Sequence, residues 1–298
     1  MALALLILLP SGIAFSPPIC YDIFMSKLYV VGSPIGNLGD FSPRAVETLS
    51  ACDFIAAEDT RVTCKLLHHF GIATPMVSYH EHNRRESGAA ILRRLQAGET
   101  CALITDAGMP AISDPGEDLV DACHGAGIPV ESVPGPVAFA TALALSGFPS
   151  GRFTFEGFLS VNKRSRREHL DSLAGETRTM LFYEAPHKLP NTLRDFASAF
   201  GPRPLAIVRE LTKLHEQVIR TTCEQAVQQY AESKLKGEIV LVLAGAPPVQ
   251  AEETPLEDAA AMAREMMARG MGASQAAKQA AQASGRRKSE IYAELMKL

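Results

Sequence analysis

Residues 102–116 read ALITDAGMPAISDPG, and the fold turns on how this stretch is interpreted. The run Ala102–Thr105 has the composition of a buried strand. After Asp106, the residues Gly108, Pro110, Pro115 and Gly116 hold the backbone open where a regular helix would close it. Most strand-to-helix connections are shorter and need fewer such residues, so the segment is predicted to be a binding loop. A similar loop, GSPIGNLGD at 32–40, follows the strand candidate Leu28–Val31. Two loops at the carboxyl ends of strands point to one small-ligand crevice.

Working outward, short β-rich runs alternate with amphipathic helical stretches from Lys27 onward, the pattern of a mostly parallel sheet covered by helices. Strands are expected at Leu28–Val31, Phe54–Ala57, Met76–Tyr79, Ala102–Thr105 and Val130–Val133. Ser42-Pro43 is a helix start, and Gly71 and Gly98 sit where helices stop. After the punctuation of residues 147–151, GFPSG, a second series is expected at Phe153–Phe158, Thr179–Tyr183, Pro204–Arg209, Gln217–Thr221 and Ile239–Ala244. The predicted fold class is therefore α/β: two α/β domains, 27–147 and 148–245, with mostly parallel or mixed sheets and an interdomain cleft. Residues 246–298 read as a stiff Ala-Pro-Pro linker and an alanine-rich, helix-turn-helix-like appendage, although a dimerisation arm has the same pattern.

Residues 1–26 are expected to be a leader outside the fold. Leu3–Leu9 is apolar, but no Lys or Arg precedes Lys27 and the run is too short to span a bilayer, so Met25 is the expected functional start. The 298 residues carry a formal charge of −4, which argues against indiscriminate coating of nucleic acid and leaves any RNA contact to local patches. The six cysteines form no Cys-x-x-Cys pair or metal-spaced cluster, consistent with a reducing, cytoplasmic setting and no structural zinc.

Phosphate-cradling motifs are missing: there is no G-x-x-x-x-G-K-[ST], and GSPIGNLGD is not G-x-G-x-x-G. A ligand without phosphates fits better, and S-adenosylmethionine qualifies, with an adenosine for apolar walls and a sulfonium that needs no tight counter-ion. In FYEAPHK, Glu184 and His187 follow a strand end and are the candidate general bases, with a plain helix start as the alternative. Lys163, Arg164, Arg166 and Arg167 are placed on a loop after Phe153–Phe158, as a phosphate-contacting mouth or a solvated face. Arg61 grips RNA or pairs with Glu58 or Asp59. The tail adds local basic character through Arg286, Arg287 and Lys288. Asp106 is read as functional and Asp114 as a turn former. His80 and His82 lack further ligands nearby in sequence, so no metal is expected.

Seven segments, GSPIGNLGD, AAEDTR (56–61), SYHEHN (78–83), DAGMPAISDPG (106–116), VPGPVA (133–138), FYEAPHK (182–188) and GEIVLVLAG (237–245), occur in an order and spacing that resembles the small-subunit ribosomal RNA cytidine-2′-O-methyltransferases of the tetrapyrrole-methylase-like superfamily. The resemblance covers Lys27 to about Gly245, and the tail is similar to that family's helical extension. It implies S-adenosylmethionine as cofactor, 16S rRNA or the small subunit as partner, a homodimer, and no membrane association. Carried over by motif, the cofactor would meet Ile35; Asp106, Ala107, Gly108, Met109, Pro110, Ile112 and Ser113; Pro134, Gly135, Val137 and Ala138; and Tyr183, Glu184, Leu211 and Gly237. Met109 departs from the family pattern, where threonine is more usual. A tetrapyrrole methyltransferase or a non-catalytic RNA-binding protein are the alternatives.

Overall fold

The computed structural model describes residues 26–230, 237–247 and 254–297. The leader therefore lies, but for its last residue, outside the described residues, as do linker residues 248–253. Both sheets belong to one compact unit, and Leu173–Arg178 with the chain from Gly245 onward forms a second.

The first sheet is fully parallel. It comprises β1 (Lys27–Val31), β2 (Phe54–Ala57), β3 (Met76–Ser78), β4 (Thr100–Ile104) and β5 (Val130–Val133), in the order β3-β2-β4-β1-β5. Its central strands are continuous apolar runs because both faces are covered. Along β2, Ile55 and Ala57 enter one core while Phe54 and Ala56 enter the other. Helix α1 (Pro43–Ala51) packs Ala45 and Leu49 into the first core, and α4 (Glu117–Gly125) packs Leu119 and Cys123 into the second. The connections leaving the neighbouring strands β1 and β4 thus run to opposite faces, which makes this pair the switch point where open α/β sheets bind ligands. Helix α1 starts as its sequence dictates: the Ser42 hydroxyl accepts from the Ala45 amide at 3.1 Å, and Pro43 occupies the first turn. Helices α2 (Thr60–His69) and α3 (Arg84–Gln96) complete the cover.

The second sheet is mixed. Strands β6 (Phe153–Phe158), β7 (Thr179–Glu184), β8 (Pro204–Arg209), β9 (Gln217–Thr222) and β10 (Ile239–Leu243) run in the order β6-β7-β10-β8-β9, with β6/β7 parallel and the remaining pairs antiparallel. Helix α5 (Ala138–Ser146) follows the first sheet in the chain, yet buries Ala142 and Leu143 against Leu181, Val208 and Val242 of the second. Ile35, from the loop after β1, joins the same core. Lys163 and its basic neighbours lie on helix α6 (Lys163–Ser172), not on a loop, because Asn162 caps the segment by accepting from the Arg164 amide at 3.0 Å. Helices α7 (Leu189–Phe200) and α8 (Cys223–Tyr230) finish this layer.

The second unit carries α9 (Leu256–Ala268), α10 (Ala273–Ser284) and α11 (Lys288–Leu295). Its core is mostly alanine, with Ala259, Ala263, Ala276, Ala277 and Ala280 closing on Ile291 and Leu295, so the helices approach closely.

Candidate functional site

The loops after β1 and β4 are tied together. Ser33 and Gly108 exchange backbone hydrogen bonds at 2.8 and 3.2 Å, and the Ser33 hydroxyl donates to the Thr105 carbonyl at 2.9 Å. The loop after β5 joins them through glycine: a Cβ on Gly32 would stand 2.6 Å from the Gly135 backbone. The Met109 sulfur accepts from the Gly135 amide at 3.3 Å, so the thioether fills this notch. Within the β4 loop, Ala111 and Ser113 adopt φ of 64° and 65°. Such left-handed backbone at non-glycine positions costs about 1–3 kcal/mol each and persists where the surroundings enforce it.

These loops and the second sheet enclose a cavity of about 330 Å³. Of the residues singled out from sequence, Ile35, Ala107, Gly108, Met109, Ile112, Ser113, Val137, Ala138, Tyr183, Glu184 and Leu211 line it. Asp106, Pro110, Pro134, Gly135, Gly237 and His187 are not in the wall. Asp106 instead accepts from the Asp59 amide and donates its own amide to Glu58, both at 3.3 Å. Gly237, at φ +93°, lies beneath the Glu210 carboxylate, which stands 2.0 Å from where a Cβ would be. His187 and Pro134 are exposed, and Pro110 is buried.

Sequence reading missed Asp114, Phe158, Ala185, Pro186, Glu238, Ile239 and Val240 in the wall. Antiparallel pairing of β10 with β7 sets Ile239 opposite Glu184, so the start of one strand meets the end of the other. Strand direction is not written in an apolar run such as IVLVL.

The charged wall residues are Asp114, Glu184 and Glu238, with no Lys or Arg among them. An apolar cavity bearing only carboxylates suits a cationic organic molecule and repels phosphates. Burial, reinforced by Glu58 and Asp106, pushes the Asp114 carboxyl up from 3.8 to about 6, with the nearby Thr105 hydroxyl opposing the rise. Glu58 and Asp106 are raised by burial as well. Tyr183 accepts from the Phe139 amide at 3.3 Å, and burial raises its phenol.

Glu184, 5% exposed, accepts from the Ala185 amide at 2.8 Å and from the Thr192 hydroxyl. Both carboxylate oxygens are thus engaged with the start of α7. The Thr192 hydroxyl accepts in turn from Arg166 at 2.7 Å, and Arg166 pairs with Asp195 at 2.6 Å. Arg166 is therefore a half-buried strut between α6 and α7.

Beside the cavity lies a groove of about 800 Å³ between α6 and α7, with Lys163, Arg166, Arg167, Lys188 and Arg194 on its walls beside two acids, Asp171 and Asp195. The two concavities abut: Phe158 and Pro186 line the cavity, while Leu159 and Lys188 line the groove. Arg164 lies outside it and pairs with Glu168 at 2.7 Å. Arg61 pairs with Asp59 at 2.6 Å on the surface. In the tail, Arg286 donates to the Thr254 carbonyl at 3.0 Å, Lys288 donates to Ser274 at 2.9 Å, and Arg287 occupies the position before α11 without a capping bond from its side chain. Among the described residues, no group of three or more His, Cys, Asp or Glu side chains is placed to hold a metal, and no helix is long and apolar enough to cross a membrane.

A parallel and a mixed sheet whose strand ends and loops enclose an apolar, carboxylate-bearing cavity define an α/β enzyme fold with a small-ligand site. The chain belongs to the family of tetrapyrrole (corrin/porphyrin) methylases, matched over residues 27–227, and is a methyltransferase. It is 49% identical over 269 residues to the ribosomal RNA small subunit methyltransferase I of Synechocystis sp., covering 90% of this chain and 96% of that one. The protein so named in Bacillus subtilis is 44% identical, with 77% of this chain and 78% of that one aligned. Among solved structures, cobalt precorrin-4 methyltransferase superposes with a TM-score of 0.55 at 18% identity, covering 73% of this chain and 94% of that one. Uroporphyrin-III-C-methyltransferase from Thermus thermophilus gives 0.53 at 19%, covering 74% and 94%. At these identities the likeness concerns the fold.

Proposed function

We propose that this chain methylates the ribose 2′-hydroxyl of a cytidine in 16S ribosomal RNA, using S-adenosylmethionine, as a cytoplasmic homodimer. The observation that carries the reading is the juxtaposition of a cavity whose charged residues are all carboxylates with a groove in which Lys and Arg outnumber Asp, one suited to a cationic donor and the other to a polyanion. The names of relatives at 44–49% identity support ribosomal RNA as the substrate.

The cavity fits the donor by volume and charge. Its apolar residues Ile35, Met109, Val137 and Leu211 would hold the adenosine, and the Glu184 and Glu238 carboxylates would favour the cationic centres. When bound, the donor would supply a methyl carbon activated by a sulfonium, whose sulfur can take the electron pair of the carbon–sulfur bond. The protein's own task is orientation, placing the hydroxyl oxygen in line behind the methyl carbon. Lys163, Arg167, Lys188 and Arg194 would hold phosphates of a single-stranded segment so that a ribose reaches the cavity mouth, since regular duplex buries its sugars away from a deep cleft.

The test is methyl incorporation from labelled donor into small ribosomal subunits lacking the modification, with a tetrapyrrole precursor as rival substrate and ribose mapping of the product. Label confined to the 2′-oxygen of one cytidine supports the reading. Transfer to the tetrapyrrole alone, or to a base nitrogen, overturns it.

A further inference from the structure

Asp114 lies in SDPG, a sequence that by itself promises only a tight turn. Its surroundings in the fold are different. It lines the cavity together with Tyr183 and Glu184, and it follows directly on Ser113, one of the two strained non-glycine residues of the loop. Strain of this kind persists where the surroundings enforce the backbone, and the Ser33–Gly108 bridge pins the same loop, so the backbone carrying Asp114 is held at the cavity wall.

The alternative carboxylates are otherwise occupied. Glu184 is bound at both oxygens by Ala185 and Thr192. Glu238 lies within ion-pair distance of Lys213, at 3.3 Å. The groups acting on Asp114 are the Thr105 hydroxyl and two further carboxylates, Glu58 at the end of β2 and Asp106 just past the end of β4; its own charge is felt by the Tyr183 phenol on β7. No cation is among them, so a proton is held more tightly here than on an ordinary aspartate.

Resting on the ribose-methylation reading, we propose that Asp114 is the general base that takes the proton from the attacking hydroxyl. The oxygen would gain the methyl carbon as the carbon–sulfur bond breaks with its electron pair going to sulfur, the hydroxyl proton would pass to an Asp114 carboxylate oxygen, and solvent would then remove it. A weak acid such as a ribose hydroxyl gains from a base whose own affinity for protons approaches the working pH. Asp114 is ionised at neutral pH yet more basic than a surface carboxylate.

The experiment compares Asp114→Asn, Asp114→Glu and Glu184→Gln with the wild-type chain in two measurements: donor affinity by calorimetry, and single-turnover methyl transfer to small subunits at saturating donor across pH 5–9. Asp114→Asn is expected to bind donor within about three-fold of wild type while losing about 10²- to 10⁴-fold in rate. In the wild-type protein the rate should fall as pH drops through about 6, and that inflection should vanish in Asp114→Asn. Asp114→Glu should recover part of the rate, and Glu184→Gln should keep the inflection. An Asp114→Asn protein with wild-type rate and inflection overturns the proposal. So does a loss of donor affinity whose rate defect disappears at saturation, because the carboxylate then holds the donor. A wild-type chain that transfers nothing to ribose, while all variants bind donor, instead overturns the underlying reading and this proposal with it.

Discussion

The guanidinium of Arg166 donates to the Thr192 hydroxyl at 2.7 Å, and that hydroxyl donates onward to Glu184 in the cavity wall. One side chain of a surface basic cluster is thereby wired to the ligand cavity. Replacing Arg166 with Ala leaves Asp195 and Thr192 without their donor; since Asp195 is partly exposed, the loss should be about 2 kcal/mol, below the 3–5 kcal/mol of a fully buried pair. Lys163→Ala should change stability by under about 0.5 kcal/mol. Urea unfolding checks both, and equal small losses would refute the structural role of Arg166.

Lys163→Glu and Arg167→Glu reverse charge on one wall of the groove and touch nothing in the cavity. Their affinity for the ribosomal substrate should fall, and the slope of log K against log salt should flatten by about 0.7–0.9 per lost phosphate contact. Donor binding by calorimetry should stay as in wild type. An unchanged salt slope removes these side chains from the RNA contact.

Gly32→Ala places a methyl group 2.6 Å from the Gly135 backbone, which no rotamer change relieves. The two loops must part, at a cost of about 1–3 kcal/mol, and donor affinity should fall with stability. Gly125→Ala is the control. Its Cβ meets nothing within 4 Å at the end of α4, so stability should hold or rise by up to about 1 kcal/mol. Thermal unfolding with and without donor reads both variants, and intact donor binding in Gly32→Ala would deny that these loops form the site.

Asp114 also sets a pH dependence of stability. Its carboxyl is raised in the fold, from 3.8 to about 6, so its contribution is fully present below pH 4 and is lost as pH rises through 6. Asp114→Asn should therefore be more stable than wild type at pH 8, with the advantage closing towards pH 4. The shift alone corresponds to about 3 kcal/mol, and partial solvent access lowers the expected gain to about 1–2 kcal/mol. Unfolding midpoints across pH measure it, and a pH-independent difference would contradict the raised carboxyl.

Burial pushes the thiols of Cys52 and Cys223 up to about 12 and that of Cys123 to about 11, whereas Cys64 is exposed. Among the described cysteines, Cys64 alone should react rapidly with a thiol reagent in the native protein. Fast modification of a second described thiol would show that the first sheet or α8 opens on that timescale.

Much of this molecule is local, and local features are legible in a sequence. The apolar runs of β2 and β4, the Ser42-Pro43 start of α1 and the glycine-proline loop after β4 each follow from the residues that compose them, because burial on two faces, capping and restricted φ act over a few neighbours. The two-sheet α/β architecture could therefore be read in advance, whereas the cavity-wall residues named from sequence came from the family resemblance and not from these local patterns. What the sequence could not reveal depends on pairing at a distance. The packing of α5 on the second sheet, the antiparallel setting of β10 that brings Ile239 beside Glu184, and the hydrogen bond of Arg166 to Thr192 join residues 26 to more than 100 positions apart. The same long-range packing places Asp114 in a cavity among other carboxylates, turning a commonplace turn aspartate into a group of altered acidity. Proton affinity is set by the dielectric and the charges around a group, and only the folded chain assembles those.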